Sequence, residues 1–278
     1  MNELVYYLKM TQKELKIKLY ALLKERQMNP IFEDGFVYAK GNIPVLLVAH
    51  MDTVCEQPPI DVLYQQNYDM IYNPDGILGG DDRCGIYAII KLLENYRPHV
   101  LFTEDEEIGC IGASKAVDKL IKPNVKYIIE FDRRGKNNCV FYDCGNKEFI
   151  DYIESFEFET DYGTCSDISI LGNDWNIASV NLSCGYYNEH TEDEYVIFSE
   201  LLETINRAEN MLKEIMKAPY FDYQKIEYGS KYDFHLPNEE LMFLLSQFYS
   251  KNNNGEDTKK LILKNNKFNT GDGKSEIK

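Results

Sequence analysis

Two histidines and three carboxylates, His50, Asp81, Glu107, Asp132 and His190, have side chains that suit a pair of borderline-soft divalent ions. If Asp81 is shared, each ion receives one histidine, one private carboxylate and the shared one. Three protein ligands per ion leave a coordination position open, which separates a catalytic site from a structural one. Three carboxylates against two dications leave a net positive centre that can polarise a carbonyl and acidify water. Asp52 follows His50 by two residues, and at a strand end such residues point the same way, so Asp52 can orient the imidazole. Glu106 precedes Glu107. With Glu107 on a metal, Glu106 remains a free carboxylate where a general base belongs. Taken singly these features are ordinary: His-x-Asp is commonly packing or surface chemistry, EDEE a solvated loop and GGDD a turn. Their occurrence together, in order, is what points to a site.

Hydrophobic periodicity supplies the elements that would position them. A helix is expected over 11–27, with Leu15, Leu19 and Leu22 on its apolar face, and strands over 36–40 and 43–50. The second run, IPVLLVAH, is continuously apolar, as in a strand covered on both faces. The turn-rich segment 73–82 leads into a helix at about 84–95. Strands follow at 99–104, 126–132, 139–144 and 176–185, with helices at 113–121, 147–156 and 199–218 between and after them. The alternation predicts an α/β domain with a largely parallel central sheet flanked by helices. In such sheets the site lies beyond the carboxyl ends of the strands. Three consecutive strand candidates end in His50, in the run 103–107 and in Asp132, so ligand chemistry collects at one edge.

The chain of 278 residues accommodates one large domain with a small appendage. The expected division is a catalytic domain over 1–219 and, after Pro219, an appendage over 220–278. The appendage is expected to have one helix at 237–250 and a disordered tail. A net charge of −16 argues against nucleic acid and anionic membranes as partners. The excess acid serves solubility, or the gathering of cations. No apolar run approaches the ~20 residues of a membrane-spanning helix. The N-terminal segment has neither signal-peptide nor transit-peptide character, so a cytoplasmic location is expected. Seven cysteines without a CxxC pair read as reduced, structural thiols, including Cys84, Cys110, Cys165 and Cys184 beside the motifs.

The runs VAHMDTV (48–54), ILGGDDRCG (77–85), FTEDEEIGCIGA (102–113), IIEFD (128–132) and GYYNEHTEDEYV (185–196) together resemble the co-catalytic dizinc exopeptidases, above all the peptidase T branch. The resemblance covers about 40–200. It implies a three-layer zinc-exopeptidase-like fold and two divalent ions, zinc by preference, with cobalt or manganese as alternatives. It also implies His50 and Asp132 on one ion, Glu107 and His190 on the other, Asp81 between them, Glu106 as the base and Asp52 behind His50. A cis peptide after Asp81 is a further implication. GTCSDISIL (163–171) is similar to a segment near the site in these enzymes, with Asp167 at its Asp position; a helix N-cap is the competing role.

Two departures from the family pattern matter. The usual inserted lid domain is missing, because Asp132 and His190 are too close in sequence to hold one. Arg83 also stands where Lys is common. Without a lid, the donor for a developing oxyanion must come from elsewhere: Tyr186 or Tyr187, with packing as their alternative role, or His235 in the appendage. His99, at a strand start, is expected to be structural. Glu189, Glu192 and Asp193 are candidates for holding a substrate ammonium group. The resemblance further implies, through Asp rather than Glu at 132, an aminopeptidase on small peptides. The competing readings are a deacylase of N-acyl amino acids and a non-catalytic module on the same fold. Any homo-oligomer would use a surface other than a lid.

Overall fold

The structure is a computed structural model, and it describes residues 1–55 and 57–226. The expected helix at 237–250, the polar tail and His235 lie outside the described residues. The order of elements is α1 (Asn2–Leu8), α2 (Gln12–Glu25), β1 (Ile31–Glu33), β2 (Phe36–Ala39), β3 (Ile43–His50), β4 (Leu63–Gln65), β5 (Met70–Tyr72), α3 (Gly80–Leu92), β6 (Pro98–Thr103) and α4 (Ile111–Lys119). It continues with β7 (Tyr127–Arg133), β8 (Asn138–Val140), α5 (Lys147–Glu154), β9 (Glu159–Thr160), α6 (Asp167–Trp175), β10 (Ser179–Ser183), β11 (Tyr186–Tyr187), β12 (Tyr195–Ile197) and α7 (Phe198–Glu214).

Eight strands make one sheet in the order β1-β2-β6-β3-β7-β10-β8-β9. Its centre, β6-β3-β7-β10, is parallel, and β2 and β8 flank that centre antiparallel. In β3 every residue from Val45 to His50 is buried, as the continuous apolar run requires. The pleat sends alternate residues to opposite faces. Val45, Leu47 and Ala49 enter the larger apolar cluster with residues of α1, α2, α3, α5 and α7, whereas Leu46 and Val48 enter a second cluster with residues of α4 and α6. In β7, Tyr127, Ile129 and Phe131 go to the first cluster and Ile128 to the second. Fully burying each such side chain contributes about 1.5–3 kcal/mol. His50 continues the Leu46–Val48 row and Asp132 the Ile128–Glu130 row. Both therefore face the layer of α4 and α6 at the carboxyl edge.

Helix α2 starts where a reciprocal cap satisfies its first donors. Glu14 N donates to Thr11 Oγ1 at 3.3 Å, and Thr11 N donates to Glu14 Oε2 at 3.0 Å. Several features were not legible in the pattern. Helix α1 lays Leu4, Tyr7 and Leu8 into the larger cluster. A second, four-stranded antiparallel sheet, β11-β12-β5-β4, gathers short segments from both ends of the domain. The strand expected over 139–144 stops at Val140, where the chain turns and Tyr142 takes φ 50°. The polar composition after Pro219 does not end the packing. Phe221 sits on the Phe149 and Tyr152 rings at 5.0 and 5.2 Å, and Lys225 bridges to Cys144.

Candidate active site

Parallel pairing brings the expected ligands to one edge. His50 pairs with Thr103 across β3 and β6, and Val48 pairs with Glu130 across β3 and β7, so Asp132, two residues on from Glu130, lies level with His50. Asp81 stands at the kinked start of α3, after Gly79 (φ 75°), and the Asp81–Asp82 peptide is cis. Glu106 and Glu107 lie in the turn after β6, and His190 in the loop joining β11 to β12. Asp105 and His190 take left-handed conformations, φ 62° and 64°, which are uncommon outside glycine and mark both loops as tightly determined.

The geometry centres on Asp81. Its Oδ1 lies 3.0 Å from His50 Nε2, and its Oδ2 lies 3.2 Å from His190 Nε2. His50 Nε2 is also 3.5 Å from Asp132 Oδ1, and His190 Nε2 is 3.0 Å from Glu107. Two groups of possible ligands result, His50-Asp81-Asp132 and Asp81-Glu107-His190, each with its ligand atoms within 4.8 Å of one another. The first is mostly buried, with His50 and Asp81 buried and Asp132 half-buried. The second opens outward, since the His190 side chain is 47% exposed and that of His50 is 1% exposed.

Neighbouring groups hold these side chains in place. Asp52 Oδ1 lies 3.3 Å from His50 Nδ1, while its Oδ2 accepts from Glu107 N at 3.0 Å, so one carboxylate braces a residue of each group. Tyr186 Oη donates to Asp132 Oδ1 at 3.1 Å, and Ser166 Oγ donates to Asp132 Oδ2 at 2.9 Å. Asn181 accepts from Asp132 N at 2.8 Å and donates to its carbonyl at 2.8 Å. Glu194, 1% exposed, reaches back across the small sheet, accepting from Gly79 N at 2.7 Å and from Asp81 N at 3.0 Å. A Cβ on Gly80 would lie 2.9 Å from Val196 and 3.1 Å from Glu194 Oε1, so this close approach needs glycine. Arg83 donates to the carbonyls of Tyr7, Met10 and Met51, so it ties α1 to the His50 loop and does not extend into the site.

Buried carboxylates outnumber the cations that face them. Burial, reinforced by the charge of Asp81, pushes Asp132 up to about 7. Burial, with Asp132, Asp167 and Asp81 adding against the opposing pull of His50, pushes Glu106 up to about 9. Burial works against a charged His50, yet Asp52 and Asp132 hold its pKa well above the usual value. Hydrogen bonds to Asp81 and Glu107 raise His190 to about 11. Burying like charges together is costly unless cations compensate them. Two nitrogen donors and three carboxylates, with Asp81 common to both groups, could thus hold a pair of divalent ions.

Other expected residues fall differently. Asp167 is the first residue of α6, and the N-cap is Ser166. Asp167 is fully buried and accepts from Thr103 Oγ1 at the end of β6, so the segment does come to the site. Tyr187 turns away: its hydroxyl donates to Glu200 at 2.5 Å and its ring stacks on Tyr195 at 5.1 Å. Glu189 is paired with Arg134 at 2.7 Å. Glu192 and Asp193 are exposed. His99 is buried near the start of the interior strand β6, with Nδ1 2.8 Å from Tyr38 Oη. Sequence reasoning passed over Glu194, Ser166 and Asn181. For Glu194 a signal existed: it precedes the buried Val196 by two residues, which puts both on one face of a strand.

No family model matches the chain, and no curated protein sequence matches it. Solved structures do. A tripeptidase from Staphylococcus aureus aligns with a TM-score of 0.63 at 13% identity, over 78% of this chain and 98% of that one. Aminopeptidase PepT from Bacillus cereus aligns with a TM-score of 0.61 at 15% identity, over 77% and 97%. The TET1 peptidase of Pyrococcus horikoshii, which can assemble into a tetrahedron or a large octahedral shell, aligns with a TM-score of 0.54 at 13% identity, over 72% and 94%. At such identities the likeness is one of fold. That fold, a mostly parallel sheet flanked by helices, is the one found in peptidase T and related exopeptidases, as the motifs had implied.

Proposed function

We propose that the chain is a metal-dependent exopeptidase, an aminopeptidase acting on small peptides in the cytoplasm. The observation that carries this reading is the sharing of Asp81, whose two oxygens lie 3.0 and 3.2 Å from two different histidines. His50, Asp81 and Asp132 would hold one ion, and Asp81, Glu107 and His190 the other. When bound, such ions supply Lewis acidity to a substrate carbonyl and lower the pKa of water. Asp52 keeps a proton on His50 Nδ1, so that Nε2 presents its lone pair. Glu106 takes the proton of the attacking water and returns it to the departing amine nitrogen. The exposed His190 side is the entrance for substrate. Residues 1–219 form the catalytic part without an inserted lid, and 220–278 are an appendage to it. A homo-oligomer would use a surface other than a lid.

The test is to load the protein with zinc and assay a free-amine tripeptide beside its N-acetylated counterpart. Cleavage of the free-amine substrate alone is expected. Cleavage of the acylated one alone would establish a deacylase instead. No turnover of either, with both ions bound, would overturn the enzymatic reading.

A further inference from the structure

Two of the seven cysteines meet beside the proposed base. Cys110 is buried at the N-terminus of α4 and Cys165 is exposed just before α6, and their sulfurs are 3.8 Å apart. Cys110 Sγ also lies 3.6 Å from Glu106 Oε1. Cys165 is 3.3 Å from Ser169 Oγ, in the first turn of α6. The segments are distant in sequence, so folding alone creates the pair. We infer that Cys165 and Cys110 form a peroxide-reactive dithiol, in which Cys165 is the site of attack and Cys110 the resolving partner, and that the resulting disulfide switches off the site around Glu106.

The arrangement gives the two sulfurs different work. The contact with the Cys110 thiol, opposed by burial and assisted by Ser169 Oγ and the Ser166 N–H, draws the Cys165 thiol down to about 5, and reactive cysteines are those held as accessible thiolates. Its place ahead of a helix N-terminus acts in the same direction. The half-buried Cys55 thiol is instead pushed up, by burial and by Glu194. In the first step the Cys165 thiolate attacks one oxygen of a hydroperoxide such as hydrogen peroxide. The O–O bond breaks, the departing hydroxide takes up a proton as water, and Cys165 is left as a sulfenic acid. In the second step Cys110 loses its proton and attacks the Cys165 sulfur. The S–O bond breaks, hydroxide leaves and becomes water, and the disulfide forms; two electrons have passed from the thiol pair to the peroxide. Closure must bring the sulfurs to about 2.05 Å. That removes the thiol facing Glu106 and ties the Glu106–Glu107 turn to the segment before α6.

The experiment treats the zinc-loaded protein with hydrogen peroxide and maps its peptides by mass spectrometry. A Cys110–Cys165 cross-link is expected, reversed by dithiothreitol, and C110S should leave a dimedone-trappable sulfenic acid on Cys165. C165S should lower the rate of thiol loss at least ~10-fold. Free thiols at both positions after treatment, or equal thiol loss in C165S, would overturn the proposal. The cross-link is read without turnover. The activity arm rests on the hydrolase reading: oxidation should cost wild type at least ~10-fold in kcat, and C165S, with its basal rate intact, should resist. Cross-linking with full retention of kcat would overturn the switch while leaving both the redox pair and the hydrolase standing.

Discussion

At the scale of single residues, the proposed site separates holding from proton transfer. Glu107 and Glu106 are adjacent, yet Glu107 lies 3.0 Å from His190 whereas the Glu106 carboxylate sits against Cys110. Glu106→Gln keeps the shape and removes the proposed proton acceptor. It should retain both ions by metal analysis while kcat falls on the order of 10²–10⁴-fold. Wild-type turnover in that variant would place the base elsewhere. Asp81 cannot be split in this way, because each of its oxygens faces a different histidine.

At the scale of elements, two short segments determine whether the ligands stay in register. The Asp81 turn is anchored by Glu194, just before β12, through two backbone N–H groups at 2.7 and 3.0 Å. Glu194→Ala strands both donors in a buried place, at about 1–3 kcal/mol each. Urea unfolding should register that loss, and chelator competition should register looser ions; unchanged values in both would mean that the turn holds itself. His99 on β6 sets an acid limit. Burial lowers it from 6.5 to about 4, so the folded state resists a proton that the unfolded chain accepts. Stability from this group is complete above the unfolded value and is lost as pH falls from there toward the folded one. The loss is ~2 kcal/mol at about pH 5. Comparing wild type with His99→Gln by urea unfolding at about pH 7.5 and pH 5 isolates it. The acid-side slope should flatten in the variant, and equal slopes would refute the assignment.

At the scale of the molecule, the proposed site should couple stability to cations. Asp132 and Glu106 are both raised by burial and by like charge, a repulsion that bound divalent ions would relieve. Ions that bind the folded state alone stabilise it by about 2.7 kcal/mol at a hundredfold excess over Kd. Adding zinc to chelator-stripped protein should therefore raise Tm, with calorimetry giving two equivalents. A Tm indifferent to zinc would mean that the two clusters do not bind it. Among the described residues no helix is long and apolar enough to cross a membrane.

Local chemistry dictated much of this arrangement. The apolar run 43–50 has the pattern expected of a strand covered on both faces, and the alternation of strands and helices predicts parallel neighbours, which sends His50, Glu107 and Asp132 to one edge. The His-x-Asp spacing alone sets Asp52 behind His50, because side chains alternate along a strand. Other features arose where segments far apart in sequence met, and no local pattern records such a meeting. The small antiparallel sheet pairs Tyr195–Ile197 with Met70–Tyr72, and it is this pairing that carries Glu194 to the Asp81 turn. Adjacent tyrosines part company for the same reason: in β11 Tyr186 points inward to Asp132 and Tyr187 outward to Glu200. Cys110 and Cys165, unremarkable along the chain, become neighbours because α4 and α6 pack on the same face of the sheet. Side-chain period and apolar continuity are properties of a segment, whereas an anchor, an orientation or a sulfur pair belongs to contacts that exist only after the segments are packed.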